Sequence, residues 1–331
     1  MKKILLSTAL LVATAGVAAA EVTLSGSGRF GLVYDNSIVG PGTSKTSISY
    51  RLRVNIDASV ETESGVTFGG RIRMQNTEGS GYAGANGARL SPAQVFAKYN
   101  GMTLQVGNVD TAYDSVALMY DPEVGYIGSS FGTPYAAGGN YASFSSGPYQ
   151  LNRVGIFFSY AIDSFNVRVS AVDPDQTLTA DALPGTNDEI ESSISADYTT
   201  GQFTVAAAAA QNAAFIENND VYFIGAAYKF SDVGTVGLSY MDNGDTNGAG
   251  AGDNGKTVVL YGNYTFGAIT ARAYVSTNDG TLAGGGDVVG NTSTAYGIGA
   301  DYDLGGATLA GSIQRGYTRD TIGDIGVKFS F

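Results

Sequence analysis

Four acids gather in one stretch of the chain: Asp110, Asp114, Asp121 and Glu123, set among Tyr113, Tyr120, Tyr126, Phe131 and Tyr135. The interval 107–151 that holds them contains no Lys and no Arg. Basic residues collect elsewhere, as Arg29, Arg51, Arg53, Arg71, Arg73 and Lys98. Set face to face, these two groups would do electrostatic work, a field across a gap that orients dipolar solutes and sorts ions. Bond-making chemistry is poorly served. The 331 residues include no His and no Cys, which removes a Ser-His-Asp triad, the usual zinc sites, haem ligation through His, and disulfides. No convincing nucleophile replaces them, so the expectation is a protein that is not an enzyme.

The elements that must position these charges have a period of two. Val22, Leu24, Gly26, Gly28, Phe30, Leu32 and Tyr34 alternate with Thr23, Ser25, Ser27, Arg29 and Gly31. Ile48, Tyr50, Leu52, Val54 and Ile56 alternate with Arg51, Arg53, Asn55 and Asp57, and Phe68, Ile72 and Met74 with Arg71 and Arg73. Such alternation makes strands with one apolar and one polar face. The pattern predicts sixteen of them: 22–34, 46–58, 66–76, 92–99, 102–107, 152–160, 165–172, 190–199, 203–211, 221–230, 235–241, 257–266, 268–276, 294–304, 307–315 and 322–331. An even count, and strands near the length a tilted membrane strand needs, fit a closed transmembrane barrel.

Connection lengths support closure. Asn100-Gly101, Thr200-Gly201-Gln202, Gly267 and Gly305-Gly306 read as tight turns, because Asn and Gly accept positive φ. Ala58 to Gly65 is the one longer junction expected on that rim. The other rim carries long polar loops, and the longest, 107–151, is the third of them, between strands five and six. Loops of that length in a compact domain are mostly functional. Aromatics recur at the short-turn ends, as Tyr99, Tyr160, Tyr198, Tyr228, Phe230, Tyr264, Phe266, Tyr302, Phe329 and Phe331, the pattern of an interfacial girdle. With the apolar faces toward lipid, Arg29, Arg51, Arg53, Arg71 and Arg73 project inward, and Lys98, Arg153, Arg168 and Arg272 fall on inner faces. An Arg on the lipid side at mid-membrane would cost about 2–4 kcal/mol.

The first twenty residues are different in kind. Lys2 and Lys3 precede the apolar run 4–15 and Ala18-Ala19-Ala20, a secretory signal peptide cleaved after Ala20. The domain expected after it is 21–331, with no apolar run long enough for a spanning helix. The net charge of −12 argues against nucleic acid as a partner and points toward cation preference.

The last strand, Asp324 to Phe331, alternates and ends on the aromatic, which resembles the assembly signature of outer-membrane proteins. Glu21 to Tyr34, with Leu24-Ser25-Gly26 and Arg29, is similar to the start of general bacterial outer-membrane porins of the alphaproteobacterial type. Pro122-Glu123-Val124-Gly125-Tyr126 resembles the Glu-containing tip motif of their third extracellular loop. The resemblance implies an all-β, 16-stranded antiparallel transmembrane β-barrel with short periplasmic turns, long extracellular loops and the third loop folded into the lumen. It also implies a homotrimer in the outer membrane of a Gram-negative bacterium. Glu123 carries over through the tip motif, whereas the pore-facing roles of Asp110, Asp114 and Asp121 follow from neighbourhood.

The expected function is a water-filled channel for passive diffusion of small hydrophilic solutes and ions. A basic wall (Arg29, Arg51, Arg53, Arg71, Arg73, Lys98) would face an acidic loop (Asp110, Asp114, Asp121, Glu123). The alternatives are a substrate-selective channel, for an anion or a sugar, using the arginine cluster as its binding site, an outer-membrane enzyme, and a plugged adhesin-like barrel. No cofactor is required. Calcium at acidic loops (Asp242, Asp245 and Asp253, or Asp181, Asp188, Glu189 and Glu191) is a further expectation, as is calcium bridging of such acids to lipopolysaccharide phosphates.

Overall fold

The computed structural model describes residues 20–38, 40, 42–77, 89–134, 154–174, 189–245, 253–280 and 293–331. The expected signal peptide up to residue 19, the loop stretch 135–151 with Tyr135, Arg153, Asp181 and Asp188 lie outside the described residues.

The alternating segments form one antiparallel sheet. Its strands are β1 (Glu21–Asp35), β2 (Thr46–Glu61), β3 (Thr67–Thr77), β4 (Arg89–Leu90 and Gln94–Tyr99), β5 (Met102–Gly107), β6 (Val154–Ile162), β7 (Phe165–Asp173) and β8 (Glu191–Thr200). They continue as β9 (Phe203–Gln211), β10 (Val221–Ser231), β11 (Gly234–Asp242), β12 (Lys256–Phe266), β13 (Ile269–Asn278), β14 (Thr294–Asp303), β15 (Ala307–Arg315) and β16 (Thr321–Ser330). Each pairs with its sequence neighbours, and β1 pairs with both β2 and β16, so the sheet closes. Reciprocal bonds between the backbones of Gly26 and Phe331, at 2.7 and 3.0 Å, extend the seam to the last residue. A closed sheet has no unpaired edge, which is what backbone in hydrocarbon requires.

Two local expectations are corrected. β2 runs on to Glu61, so the junction expected to be long shrinks to a turn in which Thr62 N–H donates to Val66 O at 2.8 Å. The fourth strand starts at Arg89, not at residue 92, and is broken between Leu90 and Gln94. Pro92 sits in the break and has no N–H to give to a ladder. The short turns otherwise fall where Gly and Asn allow: Asn100 and Gly101 have φ of 45° and 77°.

The outer face is apolar. Leu24, Ile48, Ile224 and Ile298 are among its most exposed side chains, with Leu24 at 67 %. Tyr99, Tyr198, Phe230, Tyr264, Phe266, Tyr302 and Phe331 are exposed at the short-turn ends, while Tyr160, Tyr228 and Phe329 are half-buried there. The packed core is inside, on one side of the bore. Tyr113, Val116, Met119 and Val124 of the long loop pack against Ala206, Ala208 and Ala210 of β9, Val221 and Phe223 of β10, Met241 of β11, and Val259 and Tyr261 of β12. The three alanines alternate inward and leave room that larger side chains would fill. Burying a Val or Met here contributes about 1.5–3 kcal/mol, which helps hold a loop whose described residues pair with one another only in the isolated Val124–Ser129 bridge.

Candidate functional site

The loop is pinned around the wall as well as packed. Near its start, the N–H groups of Ala112 and Tyr113 donate to Ser170 Oγ (2.8 Å) on β7 and Ser193 Oγ (3.2 Å) on β8. Farther on, Tyr126 N–H donates to Asp324 Oδ1 at 2.9 Å on β16, Gln314 Nε2 of β15 donates to Ser129 Oγ at 2.9 Å, and Phe131 N–H donates to Tyr274 OH at 3.0 Å on β13. Arg29 of β1 donates from Nη1 to the Ile127 carbonyl. These anchors lie on opposite stretches of the closed sheet, so residues 108–131 cross the bore.

Gly125 makes the tip contact feasible. Its φ is +77°, and a Cβ there would collide with both carboxylate oxygens of Asp324 and with Ser312 Oγ. Ser312 Oγ in turn donates to Asp324 Oδ2 at 2.7 Å.

Between loop and wall lies a cavity of about 730 Å³. Arg51 and Arg53 of β2 and Arg71 and Arg73 of β3 line it together with Asp110, Asp114 and Glu123 of the loop. Cross-strand partners brace the guanidinium groups. Arg53 Nε donates to Gln75 Oε1 at 2.7 Å, Arg73 Nε to Asn55 Oδ1 at 2.9 Å, and Arg71 Nε to Asp57 Oδ1 at 2.7 Å. The planar fork leaves further N–H groups to point elsewhere while Nε is held. On the loop, Tyr120 OH donates to Asp114 Oδ1 and so orients that carboxylate. Burial pushes the Glu123 carboxyl up to about 7, with the positive charges of Arg29 and Lys328 opposing the rise.

The ten charged residues singled out from sequence therefore divide. Seven line one cavity. Arg29 stands beside it, on the loop backbone and in a second cavity. Lys98 lies at the short-turn end of β4, exposed, its amine 4.6 Å from the centre of the Phe96 ring. Asp121 does not line the arginine cavity and couples instead to Arg272 of β13 and Tyr261 of β12. Of the other inner-face arginines, Arg168 pairs with Asp197, and Arg272 with Asp301 at 3.0 Å.

Sequence reasoning missed Asp324, Asp301 and Lys328. All three are charged residues inside strands at the inward phase of the alternation, and that phase was the available signal. For calcium, no group of three acids that could hold a metal exists among the described residues. The carboxylates of Asp242, Asp253 and Glu191 accept the backbone N–H groups of Gly244 (3.3 Å), Gly255 (2.7 Å) and Ala214 (2.8 Å).

Comparison with known proteins places this geometry in context. A family model described as Gram-negative porin matches residues 7–321. A porin of Fuscovulum blasticum is 46 % identical over 313 residues, covering 94 % of this chain and 100 % of the relative. A porin of Rhodobacter capsulatus is 27 % identical over 336 residues, again covering 94 % of this chain and 100 % of the relative. Among solved structures, an engineered variant of Rhodopseudomonas blastica porin superposes with a TM-score of 0.80 at 44 % identity, covering 94 % of this chain and all of that one.

Proposed function

The chain belongs to the Gram-negative porin family, and from that premise we propose that its bore is a water-filled passage narrowed by the crossing loop and swept by a field between arginines and loop acids. Porins are outer-membrane channels for passive diffusion, and this barrel is one. Diffusion through a fixed opening needs no bond chemistry, and we read the protein as a channel without enzymatic activity.

The single observation that carries the field is the shared cavity. Arg51, Arg53, Arg71 and Arg73 line it from the wall, and Asp110, Asp114 and Glu123 from the loop. Charges of opposite sign on two sides of a narrow wet space, with low-dielectric walls behind them, focus the potential between them. A hydrated polar solute turns its dipole along that field, whereas an apolar one gains nothing for the water it displaces. The same cluster also supports the second reading, a channel that holds one class of anion at the arginines.

Three copies of the chain, embedded among outer-membrane lipid and lipopolysaccharide, are the assembly we propose on the strength of the family. Single-channel recording in planar bilayers, with the zero-current potential under a salt gradient, tests the channel. The expected result is an ohmic open channel with a reversal potential on the cation-preferring side. Saturable block by one solute that is lost in Arg71→Ala with Arg73→Ala would favour the selective reading, and absence of conductance would overturn both.

A further inference from the structure

A second cavity, of about 600 Å³, lies between the loop tip and the turn joining β14 to β15. Tyr126 and Ile127 bound it on the loop side and Asp303 on the turn side. Its wall sets three cations in consecutive register. Arg51 is the cross-strand partner of Arg29, and Arg29 is the partner of Lys328. Thr308 of β15 follows as the partner of Lys328. Directly opposed residues have Cβ atoms about 4.5–5.5 Å apart, and like charges in such positions repel.

The local acids answer Arg29 and Lys328 only in part. Lys328 Nζ is 3.4 Å from Asp301 Oδ1, but Asp301 also holds Arg272 at 3.0 Å. Arg29 is bonded to a carbonyl, which is a dipole and not a charge. Asp303 turns its carboxylate into the turn, where it accepts Gly305 N–H at 2.7 Å. Glu123 and Asp324 lie within the field of Arg29 and Lys328 from the loop and from β16, and Asp324 is engaged with Tyr126 N–H and Ser312.

We propose that this cavity binds an oxyanion group, a phosphate or carboxylate on a passing solute, through Arg29, Arg51 and Lys328, with the Thr308 hydroxyl beside them. Guanidinium forks match such groups in geometry and charge. Arg51 lines both cavities, so an anionic group leaving the arginines of β2 and β3 meets the second set without crossing a neutral gap. The inference rests on the channel reading.

The test is single-channel conductance in potassium chloride with inorganic phosphate, and separately citrate, added to one side and then the other. Wild type should show saturable reduction of current by both anions. Lys328→Gln should raise the half-blocking concentration at least fivefold, and Lys328→Arg should restore it. A conducting wild-type channel that shows no saturable block overturns the site, as does Lys328→Gln with wild-type block. Block abolished by Arg71→Ala with Arg73→Ala, yet untouched in Lys328→Gln, moves the anion to the first cavity and also overturns it. Block by one anion alone narrows the ligand to phosphate or to carboxylate and supports the site. Failure of wild type to conduct at all would strike the channel reading instead.

Discussion

The backbone N–H of Tyr126 donates to Oδ1 of Asp324 at 2.9 Å, joining residues 198 apart in the chain. This contact and the bond from Arg29 to the Ile127 carbonyl hold the loop tip from two adjacent strands, β16 and β1. Asp324→Ala removes the acceptor for a buried N–H and should cost about 1–3 kcal/mol of local stability. The expected readout is increased open-channel current noise with a lower thermal midpoint. Unchanged noise would mean that the Arg29 bond and packing hold the tip without Asp324.

Gly125 separates strain from space. Gly125→Ala places a methyl group into the Asp324 carboxylate at φ +77°, so the tip cannot keep its place. Gly201, at φ +56°, has nothing within 4 Å of the position a methyl group would take, and Gly201→Ala should cost only the left-handed backbone term, roughly 1–2 kcal/mol. Paired thermal unfolding and conductance measurements check this. Altered conductance is expected for Gly125→Ala and not for Gly201→Ala.

Glu123 should make selectivity depend on pH. Its carboxyl is pushed up to about 7 by burial, so acidification through that value neutralises an acid at the arginine cavity. The reversal potential of wild type should then move toward anions, and Glu123→Gln should start there and lose that step. The stability linkage has a defined sign. The folded state holds this proton more tightly than the unfolded state, so the group's contribution to stability falls as pH rises from about 4.5 through about 7. A pH series of unfolding midpoints, steeper in wild type than in Glu123→Gln, would show it.

Arg71 and Arg73 act in the opposite sense. Replacing both with Ala removes two cations from the wall facing the loop acids, and the reversal potential should shift toward cations. Asp57, now bonded by Arg71 Nε at 2.7 Å, would remain as an added negative charge and reinforce the shift. No movement of the reversal potential would remove these residues from the conducting path.

Ala208 tests the idea that small wall residues make room for the loop. It is 7 % exposed and belongs to the cluster around Tyr113 and Met119. Ala208→Leu overpacks that seam, at a cost of about 1–3 kcal/mol. The loop can relieve the strain by moving into the bore. Lower single-channel conductance is the expected outcome, whereas an unchanged value would show that the strand yields instead.

Much of this molecule was legible in its residues alone. Period-two alternation identified the strands because a barrel wall has lipid on one face and water on the other, and each residue must choose. The same alternation placed Arg51, Arg53, Arg71 and Arg73 inward, where they are. Tight Asn and Gly turns located one rim, since positive φ is a local property that sequence records directly.

What the chain could not declare was how the crossing loop is laid out. Asp114 and Asp121 look alike in sequence, yet one lines the arginine cavity and the other couples to Arg272 on another part of the wall. The latch at Asp324 and the cation row through Lys328 arise only when β16 closes against β1. Local pattern determines which face a side chain takes. Closure of the sheet and packing of the loop against β9 to β12 decide which charges meet, because those contacts join residues far apart in the chain.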